Sequence, residues 1–455
     1  MITIRSKSLF LCACFIEALW LLLAQTLGST LLLLACLACF LALVLWAAIC
    51  NMAVPVLLFF LPFSSLLKIR PGTITFFTLA LLVVYAVYTV TGSRRVWIGH
   101  MVPALILIIM TAIVKTVNDY PMDNAYILFA VTLLLVPFLT REMSGGYDFY
   151  WLTLFFVLGI GLAAITAPFL SAFPTIARYI TIDAVMGVLR WSGYYGDPNF
   201  YTTHITAALS GVLLLLLNTK SKGRLLMLAL MVVLLVYCGL MSVSKSFLLV
   251  GVCLLLLWLA DLLLRKGKMT IKLTLVFTLL ILGAFILSST VFSDMFEVLL
   301  SRFGRDNNLS DFTTGRTELW MKYLTEIFTS PAMLLFGVGY TNVTVAGEAS
   351  HNTLIQGVFQ LGMVGCLTLL VWLVCYWRTL LEGIRMRWSQ VPQLAILLCG
   401  TFGPWLALDY LFRDEFFLLP IYVCAAIYFL AQQNTEESPL IDKKVWVHHE
   451  LSGRE

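Results

Sequence analysis

Apolar runs of about 17 to 25 residues, each long enough to cross a bilayer, alternate with short polar turns from Phe10 almost to Gln432. The pattern predicts about fourteen helical segments, near residues 9–26, 30–49, 53–66, 73–91, 97–114, 124–139, 150–169, 200–217, 225–241, 246–264, 273–289, 352–376, 391–408 and 415–431. The third is short, so the expectation is twelve to fourteen spans. The fold class is therefore an all-α polytopic integral membrane protein, with its helical domain over 1–432 and a polar cytoplasmic tail over 433–455. Two connections are longer than the rest, 170–199 and 290–351. Such segments are where membrane enzymes with short loops elsewhere carry their function.

The second long connection has a pattern of its own. Leu319, Trp320, Tyr323, Leu324, Ile327 and Phe328 recur at helical spacing, and Glu318 with Lys322 forms an i, i+4 pair on the other side. This predicts an amphipathic helix on the membrane surface or against the bundle, closed off by Pro331 and followed by a turn at Gly337 and Gly339.

Composition narrows the class. At 61% hydrophobic and 12% charged residues, with a mean hydropathy of +0.96, most of the chain has lipid as its solvent. The net charge of +5 is modest and its basic residues are dispersed, which argues against a nucleic-acid partner. The eleven cysteines all lie in or beside apolar runs, where a thiol packs as a small hydrophobe; the spacing of Cys36 and Cys39 is read the same way. Arg5 and Lys7 precede the first apolar run as in a signal peptide, but a second run follows at once, so we expect an uncleaved first helix.

Charge also orients the chain. With the N-terminus inside, Arg94, Arg95, Arg141, Lys220, Lys222, Arg224, Arg265, Lys266, Lys268, Lys272, Arg378, Arg385 and Arg387 all fall in cytoplasmic turns, as the positive-inside rule requires. Both termini are then cytoplasmic and both long connections lie on the extracytoplasmic side.

Four residues on that side are candidates for chemistry. Arg316 points with the apolar stripe of the loop helix, where it either meets an anionic partner or snorkels over apolar surface. Arg190 lies in RWSGYYGDPNF, an aromatic and Gly-rich approach to a helix that Asp197 caps and Pro198 opens, a setting that favours phosphate. Lys245, in the turn MSVSKSF, is either a phosphate contact or an ordinary interfacial lysine. His351 stands where the long connection re-enters the membrane. On a helix it would share a face with Gly362 and Gly365, whose lack of side chain would let a neighbouring helix fix the rotation of the imidazole. His204, farther along the helix that follows Asp197, is expected to be a satisfied structural histidine.

Absences restrict the donor. There is no Asp-x-Asp pair to hold a metal on a nucleotide sugar and no P-loop, so we expect no metal and no cofactor. An activated donor used outside the cell would have to arrive on a lipid.

With these residues in place the chain resembles the O-antigen ligase and polysaccharide polymerase superfamily of bacterial membrane glycosyltransferases. The most specific match is the pattern of His351, Asn352, then Gly362 and Gly365. Gly196-Asp197-Pro198-Asn199 with an arginine shortly before it, and the Gly-Arg-x-x-x-Trp stretch from Gly315 to Trp320, support it over residues 185–375. The resemblance implies a GT-C-like multi-helix fold in the bacterial inner membrane. It also implies metal-independent transfer from an undecaprenyl pyrophosphate-linked glycan, with Arg190 and Arg316 on the donor and His351 as the family's histidine. Many relatives have arginine where Lys245 stands; lysine keeps the charge but not the bidentate fork. The acceptor would be a growing glycan, a lipid A core or a protein hydroxyl, and the lack of a docking domain favours the glycan. The competing class is a secondary transporter, for which Glu17 and Asp409 would be the coupling carboxylates. A membrane scaffold is a third, and it would leave the three candidate site residues without a common purpose.

Overall fold

The computed structural model describes residues 4–69, 75–91, 98–139, 148–180, 182–185, 188–264, 277, 297–298, 315–341, 343–381, 386–411 and 413–436. The segment expected at 273–289 and nearly all of the tail lie outside these residues, as do Arg94, Arg95, Arg141, Arg265, Lys266, Lys268, Lys272 and Arg385.

The protein is an α-helical, multi-pass membrane protein. Its helices are α1 (Ile4–Leu27), α2 (Thr30–Ile49), α3 (Ala53–Phe60, continued by a tighter turn over Leu61–Leu66), α4 (Phe76–Thr91), α5 (Met101–Val117), α6 (Asn124–Leu139), α7 (Phe149–Leu170), α8 (Pro174–Ala177), α9 (Pro198–Asn218), α10 (Lys222–Met241), α11 (Lys245–Leu264), α12 (Arg316–Ile327), α13 (Pro331–Phe336), α14 (Thr353–Leu380), α15 (Val391–Phe402) and α16 (Asp414–Glu436). Among the described residues seven helices are both long and apolar enough to span a membrane: α1, α2, α7, α9, α10, α11 and α14. The others that match expected segments have shorter apolar stretches, Ala53–Leu66, Phe76–Tyr88, Met101–Val117, Tyr126–Leu135 and Leu418–Gln433 among them.

Successive helices run in opposite directions. At one end Lys7 meets Asp148 at 3.1 Å, joining the starts of α1 and α7, and Arg224 lies 5.2 Å from the Tyr150 ring. At the other end Gln25 Nε2 donates to the Leu66 carbonyl at 2.6 Å and Thr175 Oγ1 donates to the Thr26 carbonyl at 2.8 Å. The long connections gather at this second end.

The bundle is organised around α9, which packs against α7, α10, α11 and α15 and is buried from Phe200 through Leu215. Its interior face is polar in its first half: Thr202, Thr203, His204 and Thr206 are all completely buried. A buried polar group is costly unless it is bonded. Here His204 Nε2 meets Glu415 Oε1 of α16 at 2.8 Å, while His204 Nδ1 and Glu415 Oε2 find no hydrogen-bond partner among the described residues, so the histidine expected to be satisfied is satisfied at one nitrogen.

The chain departs from the expected pattern in two places near the long connections. The 170–199 connection is built rather than open: it holds α8 and an antiparallel hairpin, β1 (Ile182–Val185) paired with β2 (Val188–Trp191), in which Asp183 stands opposite Arg190. Pro331 does not simply close α12; it opens a second short helix, α13, capped by Ser330. Phe328, assigned to the apolar stripe of α12, is exposed, while Leu319, Tyr323 and Ile327 form its buried side as expected.

Candidate functional site

The end of the bundle that receives the long connections carries the site. Asp197 caps α9 by accepting from the Asn199 amide at 2.7 Å, with Pro198 as the first helical residue. Asn199 Oδ1 accepts from Ser244 Oγ at 2.8 Å, which fastens the start of α9 to the turn between α10 and α11. Lys245 follows Ser244 directly as the first residue of α11. Arg190, at the end of the hairpin, is buried and its Nε donates to the Ser242 carbonyl at the C-cap of α10, 3.2 Å away. Three pieces of chain, the hairpin, the start of α9 and the α10–α11 turn, are thus hydrogen-bonded into one floor.

Opposite this floor stands α12. Its first residue, Arg316, is half-buried, and burial is the main reason its pKa falls below the ordinary guanidinium value. The neighbouring charge of Asp197 works against that fall and that of Arg190 adds to it. Both residues from the floor therefore lie within electrostatic reach of Arg316. The helix itself is held by its aromatic side chains. Trp320 Nε1 donates to the Ser350 carbonyl at 2.9 Å, and the Tyr323 hydroxyl donates to the Glu348 carbonyl at 2.7 Å while accepting from the Val345 amide at 3.2 Å.

His351 completes the arrangement, but not as a helical residue. Its φ is +50°, in the left-handed region, and the helix begins only after it, with Asn352 as N-cap. A non-glycine residue pays about 1–2 kcal/mol to sit there. The turn is held by its neighbours: Ser350 Oγ donates to the Asn352 carbonyl at 3.0 Å, and Gln356 Oε1 accepts from the Ser350 amide at 3.2 Å. Asn352 Oδ1 accepts from the amides of Leu354 and Ile355, and its Nδ2 donates to the Leu406 carbonyl at 3.0 Å.

The expected common face of His351, Gly362 and Gly365 is therefore corrected. Besides lying outside the helix, His351 is separated from Gly365 by a break at Gly362, whose φ of 65° and ψ of 178° are not helical. The close approach expected at the glycine does occur, though with a different partner. A Cβ on Gly362 would fall 2.3 Å from the Leu335 carbonyl oxygen, so the glycine admits the backbone of α13. Gly365 faces Leu107 and Met110 of α5.

Burial first, and then the Arg316 charge, hold the His351 pKa below its usual value, against the opposing effect of Asp197 and Glu348; Arg413 adds to the lowering. At neutral pH the ring is predominantly a neutral imidazole, able to accept a proton. Arg190, Asp197, Arg316 and His351 thus come together from three separate stretches of sequence.

The segment between α15 and α16 supplies residues that no motif marked. Thr353 Oγ1 donates to the Leu408 carbonyl at 2.7 Å and accepts from the Tyr410 amide at 3.0 Å. The Tyr410 hydroxyl in turn donates to Thr203 Oγ1 of α9 at 2.5 Å. Arg413 lies 4.4 Å from the Phe200 ring centroid and is open to solvent. Asp409, the candidate coupling carboxylate of a transporter, is raised in pKa by burial and opposed by Arg413. Glu17 is elsewhere, between α1 and α2, where it accepts from Cys36 Sγ at 3.1 Å. The one signal for these residues in the sequence was the charged and aromatic run DYLFRDEFF between two apolar segments.

Beside this segment an apolar cavity of about 300 Å³ is lined by Leu370, Val374 and Trp377 of α14, Phe402 and Trp405 next to it, and Phe416 of α16. Trp405 stacks on Tyr410 with ring centroids 5.6 Å apart, so the cavity and the polar site share a wall. Among the described residues no three His, Cys, Asp or Glu side chains gather as a metal site would need. Compared with models of known protein families and with curated proteins, the chain matches none.

Proposed function

We propose that this protein is a glycosyltransferase of the O-antigen ligase and polymerase kind, moving a glycan from an undecaprenyl pyrophosphate carrier to an acceptor hydroxyl on the extracytoplasmic face of the bacterial inner membrane. The observation that carries this reading is that Arg316, at one end of a membrane bundle, lies within electrostatic reach of both Arg190 and His351. Two guanidinium groups and a neutral imidazole suit a phosphorylated leaving group and a hydroxyl nucleophile respectively. The adjoining apolar cavity offers a place for hydrocarbon, as an amphiphile with an anionic head requires. Charge supports the side: Lys7, Lys222, Arg224, Arg378 and Arg387 belong to the opposite end, and the positive-inside rule favours the cytoplasm for that end.

In this mechanism the acceptor oxygen attacks the anomeric carbon, and His351 takes the hydroxyl proton. The bond from that carbon to the phosphate oxygen breaks, and the lipid pyrophosphate leaves with the electron pair. Arg190 and Arg316 stabilise the charge that develops on it, the task a metal performs in other transferases. Direct displacement inverts the anomeric configuration. A growing glycan is the acceptor we favour, with a lipid A core or a protein hydroxyl as the alternatives within the same chemistry.

The test is transfer by purified protein in nanodiscs, with a lipid-pyrophosphate oligosaccharide as donor and a chelator present. Wild type should elongate or transfer the glycan, and Arg190→Ala, Arg316→Ala and His351→Ala should each abolish this while unfolding at the wild-type temperature. Full activity in all three folded variants would remove the site, and retained configuration in the product would remove direct displacement.

A further inference from the structure

Arg316 and Arg413 both act electrostatically on His351, and Arg413 is given no part in the transfer step. Arg413 follows the segment that Asn352 and Thr353 hold through the carbonyls of Leu406 and Leu408, and its amide donates to the Tyr410 carbonyl at 3.1 Å. The same Tyr410 is bonded through its hydroxyl to Thr203 of α9. Arg413 is thereby placed between the start of α14, which follows His351, and the start of α9, which follows Asp197. Its guanidinium rests on the Phe200 ring at 4.4 Å. That ring is itself set between Tyr195, stacked at 5.6 Å, and Tyr410, edge-on at 5.0 Å.

An arginine laid on an aromatic face loses little freedom and keeps its N–H edge for another group. Arg413 is open to solvent, and its charge acts on both His351 and Asp409. Its charge therefore acts on His351 from the α15–α16 segment, whereas that of Arg190 acts on Arg316 from the hairpin. The aromatic wall beneath it continues through Tyr410 to Trp405 and the apolar cavity. A cation at that junction stands where an amphiphile's head meets its chain.

We infer that Arg413 binds the second phosphate of a lipid diphosphate, and so distinguishes a diphosphate carrier from its monophosphate. This rests on the proposed function for its substrate class and adds to it a residue and a selectivity. Arg190 and Arg316 hold one phosphate; Arg413 holds the other, with Phe200 fixing its reach.

The experiment is native mass spectrometry of the full chain in detergent with three probes: undecaprenyl diphosphate, undecaprenyl monophosphate and undecaprenol. Wild type should prefer the diphosphate. In Arg413→Gln and Arg413→Ala the diphosphate should weaken by about ten- to a hundredfold, the range for losing a charge-assisted contact, and the monophosphate should hold. Arg413→Lys should recover part of the loss, and Arg190→Ala should weaken both phosphates. Equal weakening of mono- and diphosphate in the Arg413 variants, or no weakening, overturns the inference and leaves the proposed function standing. Wild type that binds neither phosphate better than undecaprenol overturns the proposed function, and this inference with it.

Discussion

Replacing Gly362 by alanine should destabilise the protein more than the same change at any other glycine of α14. At φ 65° and ψ 178° the residue occupies a region that is essentially reserved for glycine, and an L side chain there costs about 1–3 kcal/mol. The new Cβ would also stand 2.3 Å from the Leu335 oxygen, 2.4 Å from its carbonyl carbon and 2.4 Å from the Phe336 nitrogen. All three are backbone atoms of α13, so relief requires the short helix to move away, with overpacking adding about 1–3 kcal/mol. The sum is about 2–6 kcal/mol. Two neighbours calibrate it. A Cβ at Gly365 meets Leu361 Cβ and Met110 Cε at 2.8 Å, and the flexible methionine can yield, so a smaller loss is expected. At Gly357 the one atom among the described residues within 4 Å is Cys366 Sγ at 3.7 Å; alanine there should be neutral or stabilise by about 0.5–1 kcal/mol through helix propensity. Thermal unfolding of the three variants in one detergent should rank Gly357→Ala highest, Gly365→Ala next and Gly362→Ala lowest. A Gly362→Ala protein that unfolds with wild type would show that α13 does not rest on this break.

If His351 is the base, transfer should fall as the pH falls, because the protonated ring cannot accept. Its depressed pKa places the midpoint below 6.5, and Arg316→Lys, which keeps the charge, should move the midpoint less than Arg316→Gln, which removes it and shifts the limb to higher pH; residual activity in Arg316→Gln, measured against pH, checks the sign. Lys115, fully buried at the end of α5, donates to the Tyr340 carbonyl at 2.8 Å, so Lys115→Met should cost about 1.5–3 kcal/mol in unfolding measurements. Unchanged stability in that variant would mean the 337–341 turn is held by other contacts.

What could be read from the sequence was local or motif-borne. The apolar runs gave the spans because lipid demands a fixed length of hydrocarbon-like residues. The 3.6-residue period of Leu319, Tyr323 and Ile327 gave α12, and Asp197-Pro198 gave the start of α9. Arg190, Arg316 and His351 stood out as polar residues at the edges of apolar segments. Arg413 and Tyr410 did not, because their partners Phe200 and Thr203 lie more than two hundred residues away and no period connects them. The break at Gly362 was equally hidden. A glycine within an apolar run reads as helix packing, and only the approach of α13 makes it a hinge in the backbone. The left-handed turn at His351 was missed for the same reason: it is imposed by Ser350 and Gln356 rather than by any preference of histidine.

The fastening of α12 to the 345–350 strip has a mechanical consequence. Tyr323 grips that strip at two backbone groups and Trp320 at a third, while Arg316 and His351 sit at the two free ends of the clamped pair. The spacing between the cation and the imidazole is then set by this clamp together with the first turn of α14, whose Asn352 cap and Gln356 hold the chain on either side of His351, so a rotation of that one transmembrane helix is passed directly to the imidazole.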